Sequence, residues 1–267
     1  MKKILFSIFL YLCFCLNNSY AEVISGKINK YDSGYQNKIV DYSTQKPLEN
    51  AKISIPDLNY TTYTNKDGAF KLNVDINDKT VLFVEKDGYK VFSLTIDNNV
   101  LNNPLKLGIE KSNPFDLQLS TDVIHLGDNL FSSNSANSGE FKLYANGYAY
   151  TKIFSRPSFA QNQDVIIKIG TVIGLDTKKA REARQNNIAR VYSSPAEVFV
   201  NGRRIASLEL NGDNVEIVIP KNIIREQNEL RIETGKNLFQ TQYTDYDDIE
   251  LANIRIEAKQ KHHFAGK

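Results

Sequence analysis

The chain has 267 residues, with 33 basic and 31 acidic side chains. Setting aside Lys2 and Lys3 leaves equal numbers of each sign, so nothing draws it over long range toward nucleic acid or anionic lipid. Both cysteines, Cys13 and Cys15, lie near the N-terminus, and beyond them disulfides are excluded.

The opening MKKILFSIFLYLCFCLNNSYA has a basic head, an apolar run over 4–16, and small residues (Ser19, Ala21) at the −3 and −1 positions of a cleavage site. This is the three-part pattern of a secretory signal peptide over 1–21, cleaved after Ala21. The run is shorter than the roughly 20 residues of a membrane-spanning helix. Neither cysteine follows the small residue expected before a lipidated cysteine. The expected product is periplasmic or extracellular and has no transmembrane span. In that oxidising setting a disulfide-free chain depends on packed cores, with or without a metal.

Period-two runs then follow in order: AKISIPD, AFKLNVDI, TVLFVEKDGY and KVFSLTID. Asp-Gly turns separate them, so they predict half-buried antiparallel strands. The segment DNNVLNNPLKLGIEKSNPFD is rich in Asn and Pro. It places a linker near 110–115, after a first unit at 22–111.

In this unit Val40-Asp41, Pro47-Leu48, Ala51-x-Ile53-x-Ile55, Thr64, Asp67-Gly68-x-Phe70 and Gly88-Tyr89 stand at a specific spacing. The unit resembles the carboxypeptidase regulatory-like domain, a small transthyretin-like β-sandwich. The resemblance implies a non-catalytic module that accompanies enzymes, surface proteins or transporter plugs. Gly68 suits a turn that needs φ > 0. Phe70 is expected inward, and Tyr89 with a buried ring and a wet hydroxyl.

The second unit is placed at 118–259, followed by a disordered tail at 260–267. DTKKAREARQNNIAR, 176–190, predicts a short solvated helix or a polar loop. AEVFVNG, RIASLEL, NVEIVIP and NELRIET predict strands, with Asn201-Gly202 a hairpin turn. VFVNG, followed by IP and NELRIE, resembles the galactose-binding-like jelly roll of carbohydrate-binding modules. The fold class is therefore all-β: two β-sandwich domains, one small and transthyretin-like, one a jelly roll, after a signal peptide.

In such jelly rolls the first and last strands lie side by side, which implies that Asp128 comes near Asp245, Asp247 and Asp248. The stretch TDYDDIE has three readings. A catalytic carboxylate pair needs a defined separation across a cleft. A structural calcium needs six to eight oxygens, and Asp128, Asp245, Asp247 and Asp248 are its candidate ligands. The third reading is a solvated acidic lip before a core strand. Beyond it, Ile249 and Leu251 share one parity while Ile254 and Ile256 share the other. Either a β-bulge lies near Ala252-Asn253, or both faces are buried.

Candidate ligand contacts are Tyr144, Tyr148 and Tyr150, with Arg156, Arg181 and Arg184. Tyr offers stacking surface in a chain without Trp. His125 is expected to bond locally, and His262 and His263 fall in the tail. The expectation is a secreted, non-catalytic binder of an extracellular or cell-envelope glycan. The rivals are a structural or protein-interaction module with an envelope protein as partner, and a glycan-active enzyme.

Overall fold

A computed structural model describes residues 37–101, 103–113, 115–132, 134–136, 141–157, 163–186 and 191–259. The signal-peptide expectation at 1–21 and the tail at 260–267, with His262 and His263, lie outside the described residues.

The first run of strands is β1 (Asn37–Asp41), β2 (Lys52–Ile55), β3 (Tyr60–Tyr63), β4 (Ala69–Phe70), β5 (Thr80–Glu85), β6 (Phe92–Ile96) and β7 (Lys106–Ile109), with one helical turn, α1 (Asn98–Leu101). They form two sheets, ordered β4-β1-β7 and β3-β2-β5-β6, in which only β1 and β7 run parallel. Ile39, Phe70, Leu107 and Ile109 from one sheet meet Ile53, Leu82, Val84 and Ile96 from the other. The residues that carry the resemblance fix this sandwich. The Thr64 hydroxyl donates to the Leu48 carbonyl (2.6 Å) and accepts from Ala51 N (2.8 Å). Gly68 turns at φ +69°, where a Cβ would stand 2.5 Å from the Ile39 carbonyl oxygen. The Tyr89 hydroxyl is not left to solvent: it donates to Oδ2 of the buried Asp41 at 2.9 Å.

The second run is β8 (Leu117–Leu126), β9 (Ala149–Ser155), β10 (Asp164–Ile173), β11 (Ala196–Val200), β12 (Arg203–Leu208), β13 (Gly212–Ile219), β14 (Gln227–Glu233) and β15 (Ile249–Lys259). These pair antiparallel as two four-stranded sheets, β13-β10-β15-β8 and β12-β11-β14-β9, around a shared aliphatic core. The helix expected over 176–190 is present as α2 (Lys178–Glu182), capped by the Thr177 hydroxyl, which accepts from Ala180 N. Only Ala180 of α2 is buried, so no apolar stripe extends it, and Arg184 ends the turn at φ +58°.

The second sandwich has no free outer face on its β10 and β15 side. β10 is buried from Val165 onward and β15 over its first nine residues. One face meets the partner sheet. The other meets the β5 and β6 sheet of the first sandwich through Val81, Phe83, Ile173 and Ala252. Burying a Val, Ile or Phe side chain fully stabilises by about 1.5–3 kcal/mol, so the two units are docked rather than tethered. Polar contacts fix their register. Asp213 Oδ1 accepts from Thr95 N and Oγ1, both at 3.0 Å. Thr171 Oγ1 donates to Ser93 Oγ at 2.9 Å, and Asn253 Nδ2 donates to the Val91 carbonyl at 2.8 Å. Lys90 lies 3.2 Å from Glu257.

The change of parity along β15 has both of its possible causes. Asn253 sits at φ +58° where the register with β8 shifts, and both faces of the strand are covered.

Candidate functional site: an aromatic face above buried aspartates

At one end of the second sandwich, three loop segments and the start of α2 make a small ladder of their own. Thr177 bridges Ser193, Ser193 bridges Asn237, and Lys236 bridges Tyr246. Extended chain sends alternate side chains to opposite faces. Ser193, Asn237, Asp245 and Asp247 point inward and are buried. Tyr192, Lys236, Leu238 and Tyr246 alternate with them and are half-buried or exposed.

The inner layer is held by carboxylates. Asp245 Oδ2 accepts from Asn237 Nδ2 (2.6 Å) and Ala136 N (3.1 Å). Asp247 Oδ2 accepts from Ser193 Oγ (2.6 Å) and Asp176 N (3.1 Å). Asp248 Oδ1 faces His125 Nε2 at 2.9 Å and accepts from Asn129 N at 3.0 Å. The His125 Nδ1 faces the Leu143 carbonyl. Asp128 Oδ2 accepts from Tyr246 N at 2.8 Å. Asp245, Asp248 and Asp128 tie the 245–248 segment to the connection between β8 and β9, and Asp247 ties it to the segments at 176 and 193.

Asp245, Asp247 and Asp248 are at most 1% exposed, so the solvated-lip reading is overturned. Composition misled it: a Thr-Asp-Tyr-Asp-Asp run looks like a surface turn, but its partners come from distant loops. Burial pushes Asp247 well above the usual carboxylate range, against the Ser193 and Asp176 donors. Burial also raises Asp245, and pushes Asp176 up to about 6 despite its two-pronged pairing with Arg181 at 3.0 and 3.1 Å.

Asp245 Oδ1, Asp247 Oδ1 and Asp248 Oδ2 lack a hydrogen-bond partner among the described residues. Yet among the described residues no three or more His, Cys, Asp or Glu are grouped to hold one metal ion. Each of the four aspartates expected as calcium ligands turns one oxygen to donors of its own.

The outer layer is aromatic. Tyr148 and Tyr246 stack with centroids 4.9 Å apart and planes 13° apart. Lys236 Nζ lies 5.2 Å from the centre of the Tyr246 ring. Tyr192 meets Phe239 edge-on at 4.9 Å, and Arg181 lies over Tyr192 at 5.7 Å. Of the six candidate contacts, Tyr148 and Arg181 join this face. Tyr144 is 84% exposed, and Arg184 is exposed on the loop after α2. Arg156 pairs with Glu226 beside the Gln227 end of β14, and so does not meet them. Tyr150 sits elsewhere, in a groove of about 570 Å³ between β8 and β9 that Gln118, Ser120, Asp122, Asn146 and Lys152 also line. Burial, then the charge of Asp122, pushes its hydroxyl up to about 12.

Tyr192, Lys236, Phe239 and Tyr246 did not stand out in the sequence. The available signal was an inverted alternation, Tyr-Ser, Lys-Asn-Leu and Asp-Tyr-Asp, with small polar residues inside and rings outside.

The first sandwich is distinguished by its parallel β1–β7 pair, the Thr64 bonds and the Tyr89–Asp41 bond. Residues 35–118 match the family model of the CarboxypepD_reg-like domain. That match ends as β8 begins, so the CarboxypepD_reg-like domain accounts for the first sandwich, not for the loop ladder. No curated protein matches the chain.

Proposed function

We propose that the chain is a secreted, non-catalytic binding protein that takes an extracellular or cell-envelope carbohydrate on the outer face of the loop ladder. In this reading the second sandwich is a galactose-binding-like jelly roll, and the CarboxypepD_reg-like domain is its rigid support. The observation that carries it is the Tyr148–Tyr246 stack, flanked by Lys236 and, along the ladder, by Tyr192, Phe239 and Arg181. Ligand sites combine apolar and aromatic walls with a few placed polar groups. A pyranose ring offers an apolar face to an aromatic ring and hydroxyls to the cations beside it. The buried aspartates supply preorganisation, because loops already fixed lose less entropy on binding.

The test is a glycan array followed by titration calorimetry on the best ligand. Tyr246→Ala should weaken binding about tenfold, the size expected for one aromatic anchor. An array without hits, or equal affinity of the variant, would remove the reading.

A second reading rests on a different observation. β8 and β9 are the outermost strands of their sheets and flank the Tyr150 groove. Such edges accept strands from partners, which suits an envelope protein. A photoreactive residue at position 122 that captures such a protein, together with an empty array, would favour it.

A further inference from the structure

Ser193 leads into β11 and Lys236 follows β14, so the loop ladder continues the β12-β11-β14-β9 sheet. Lys236 stands on its central strand. The Lys236 amide donates to Ser194 Oγ at 3.0 Å, and its carbonyl accepts from Ser194 N at 2.8 Å. On the other side Lys236 bridges Tyr246. The next residue, Asn237, points inward and donates to Asp245 Oδ2 at 2.6 Å and to the Asn134 carbonyl at 2.9 Å. The main chain at Lys236 is thus held on both edges and from beneath, while its side chain is exposed. Rings lie on both flanks. Tyr246, stacked on Tyr148, is on one. Tyr192 is one rung further along on the other, where its carbonyl accepts from Leu238 N at 3.2 Å and its ring meets Phe239.

The charge of Lys236 is not spent inside the protein. Its ammonium forms no ion pair among the described residues and meets only the Tyr246 ring. The second cation of the face, Arg181, is committed to both oxygens of Asp176. On the sheet that the ladder continues, Arg231 pairs with Glu233 and Arg204 with Glu197. The nearby carboxylates turn away from the face. Asp245 and Asp247 are buried beneath it, and Asp128 accepts from Tyr246 N with Oδ2 and from Leu130 N with Oδ1. A single uncompensated cation, fixed at its root between two groups of rings, matches one negative charge on a ligand.

We propose that the ladder face selects anionic glycans: a sugar ring packs beside the Tyr148–Tyr246 stack, and its uronate carboxylate or sulfate ester is received by Lys236. This rests on the carbohydrate reading above and names the class of its ligand. A charge-assisted hydrogen bond is roughly twice as strong as a neutral one. It therefore separates an acidic sugar from the same sugar with its charge removed.

The test displays the chain from residue 22 onward to an array of matched pairs: polyuronates beside their methyl esters, and sulfated glycans beside their desulfated forms. Hits should fall on the anionic member, and the pair that responds separates carboxylate from sulfate. On that pair, titration calorimetry should show Lys236→Met weakening the anionic member about tenfold and leaving the neutral one unchanged. Lys236→Arg should keep the preference, and Tyr246→Ala should weaken both members. Affinity for the anionic member alone should fall between about 50 mM and about 500 mM salt. Hits shared equally within pairs, or a preference that survives Lys236→Met, overturn this inference and leave the carbohydrate reading standing. An array without hits removes both. An anionic preference that Lys236→Met abolishes and Tyr246→Ala leaves untouched also overturns it, since the contact is then simple ion exchange.

Discussion

Asp247 shows how one carboxylate serves as a fastener. Its Oδ2 collects Ser193 and the Asp176 amide, and its backbone carbonyl accepts from Thr234 Oγ1 at 2.6 Å. Asp247→Ala strands the first two donors in a dry layer and should cost about 2–3 kcal/mol in urea unfolding. Asp247→Asn keeps an acceptor in place and removes a charge that burial disfavours. It should stay within about 1 kcal/mol of wild type. Equal damage from both would mean that the ionised form is what the fold requires. The same geometry gives an ion-binding prediction: calcium should leave the Tm of Asp248→Ala and of wild type equally unmoved, because each of the four aspartates already turns one oxygen to protein donors of its own. The sequence made these residues visible as a group, and Asp128 does bond to their segment. Their burial was not legible, because it depends on donors at 129, 136, 176 and 193, far away in the chain.

At the scale of elements, the meeting of β10 and β15 is the sensitive point. Ile169 pairs with Ile254 and Thr171 with Ala252, which sets Gly170 opposite Asn253. A Cβ on Gly170 would lie 2.2 Å from Ser93 Oγ and 2.8 Å from Asn253 Cβ. Gly170→Ala should therefore lower stability by about 2 kcal/mol, read as a lower urea midpoint. A matched Ser93→Ala change should recover part of the loss, since one of the two clashes is with its hydroxyl. Strands with one wet face, such as β2 and β14, could be read from their period of two. β10 and β15 could not be assigned a face, because each is covered on both sides. The short helix α2 within 176–186 follows from the converse: good helix formers without an apolar stripe have little to pack against.

At the scale of the whole molecule, four sheets stack in sequence, and the middle two belong to different sandwiches. The apolar junction and its polar contacts should make unfolding one cooperative transition rather than two, with equal calorimetric and van't Hoff enthalpies. Two resolved transitions would mean that Val81, Phe83, Ile173 and Ala252 contribute little. The all-β class and the CarboxypepD_reg-like domain were legible from short motifs within one unit. The docking was not, because a solvent-facing sheet and a docked one share the same alternation, and Ser93, Thr95 and Thr171 read as surface residues.

The position of β15 also sets an order in time. It lies between β8 and β10, yet it is the last described strand to be synthesised. Until it arrives, β8 has no partner in its sheet and one edge of β10 stands open. The apolar faces that will meet the first sandwich wait with them. Such intermediates are prone to association, and the long sequence separation between β8 and β15 slows closure. A chain interrupted before residue 249 would therefore lose more than its final segment: it would keep two unclosed edges in the middle of the molecule.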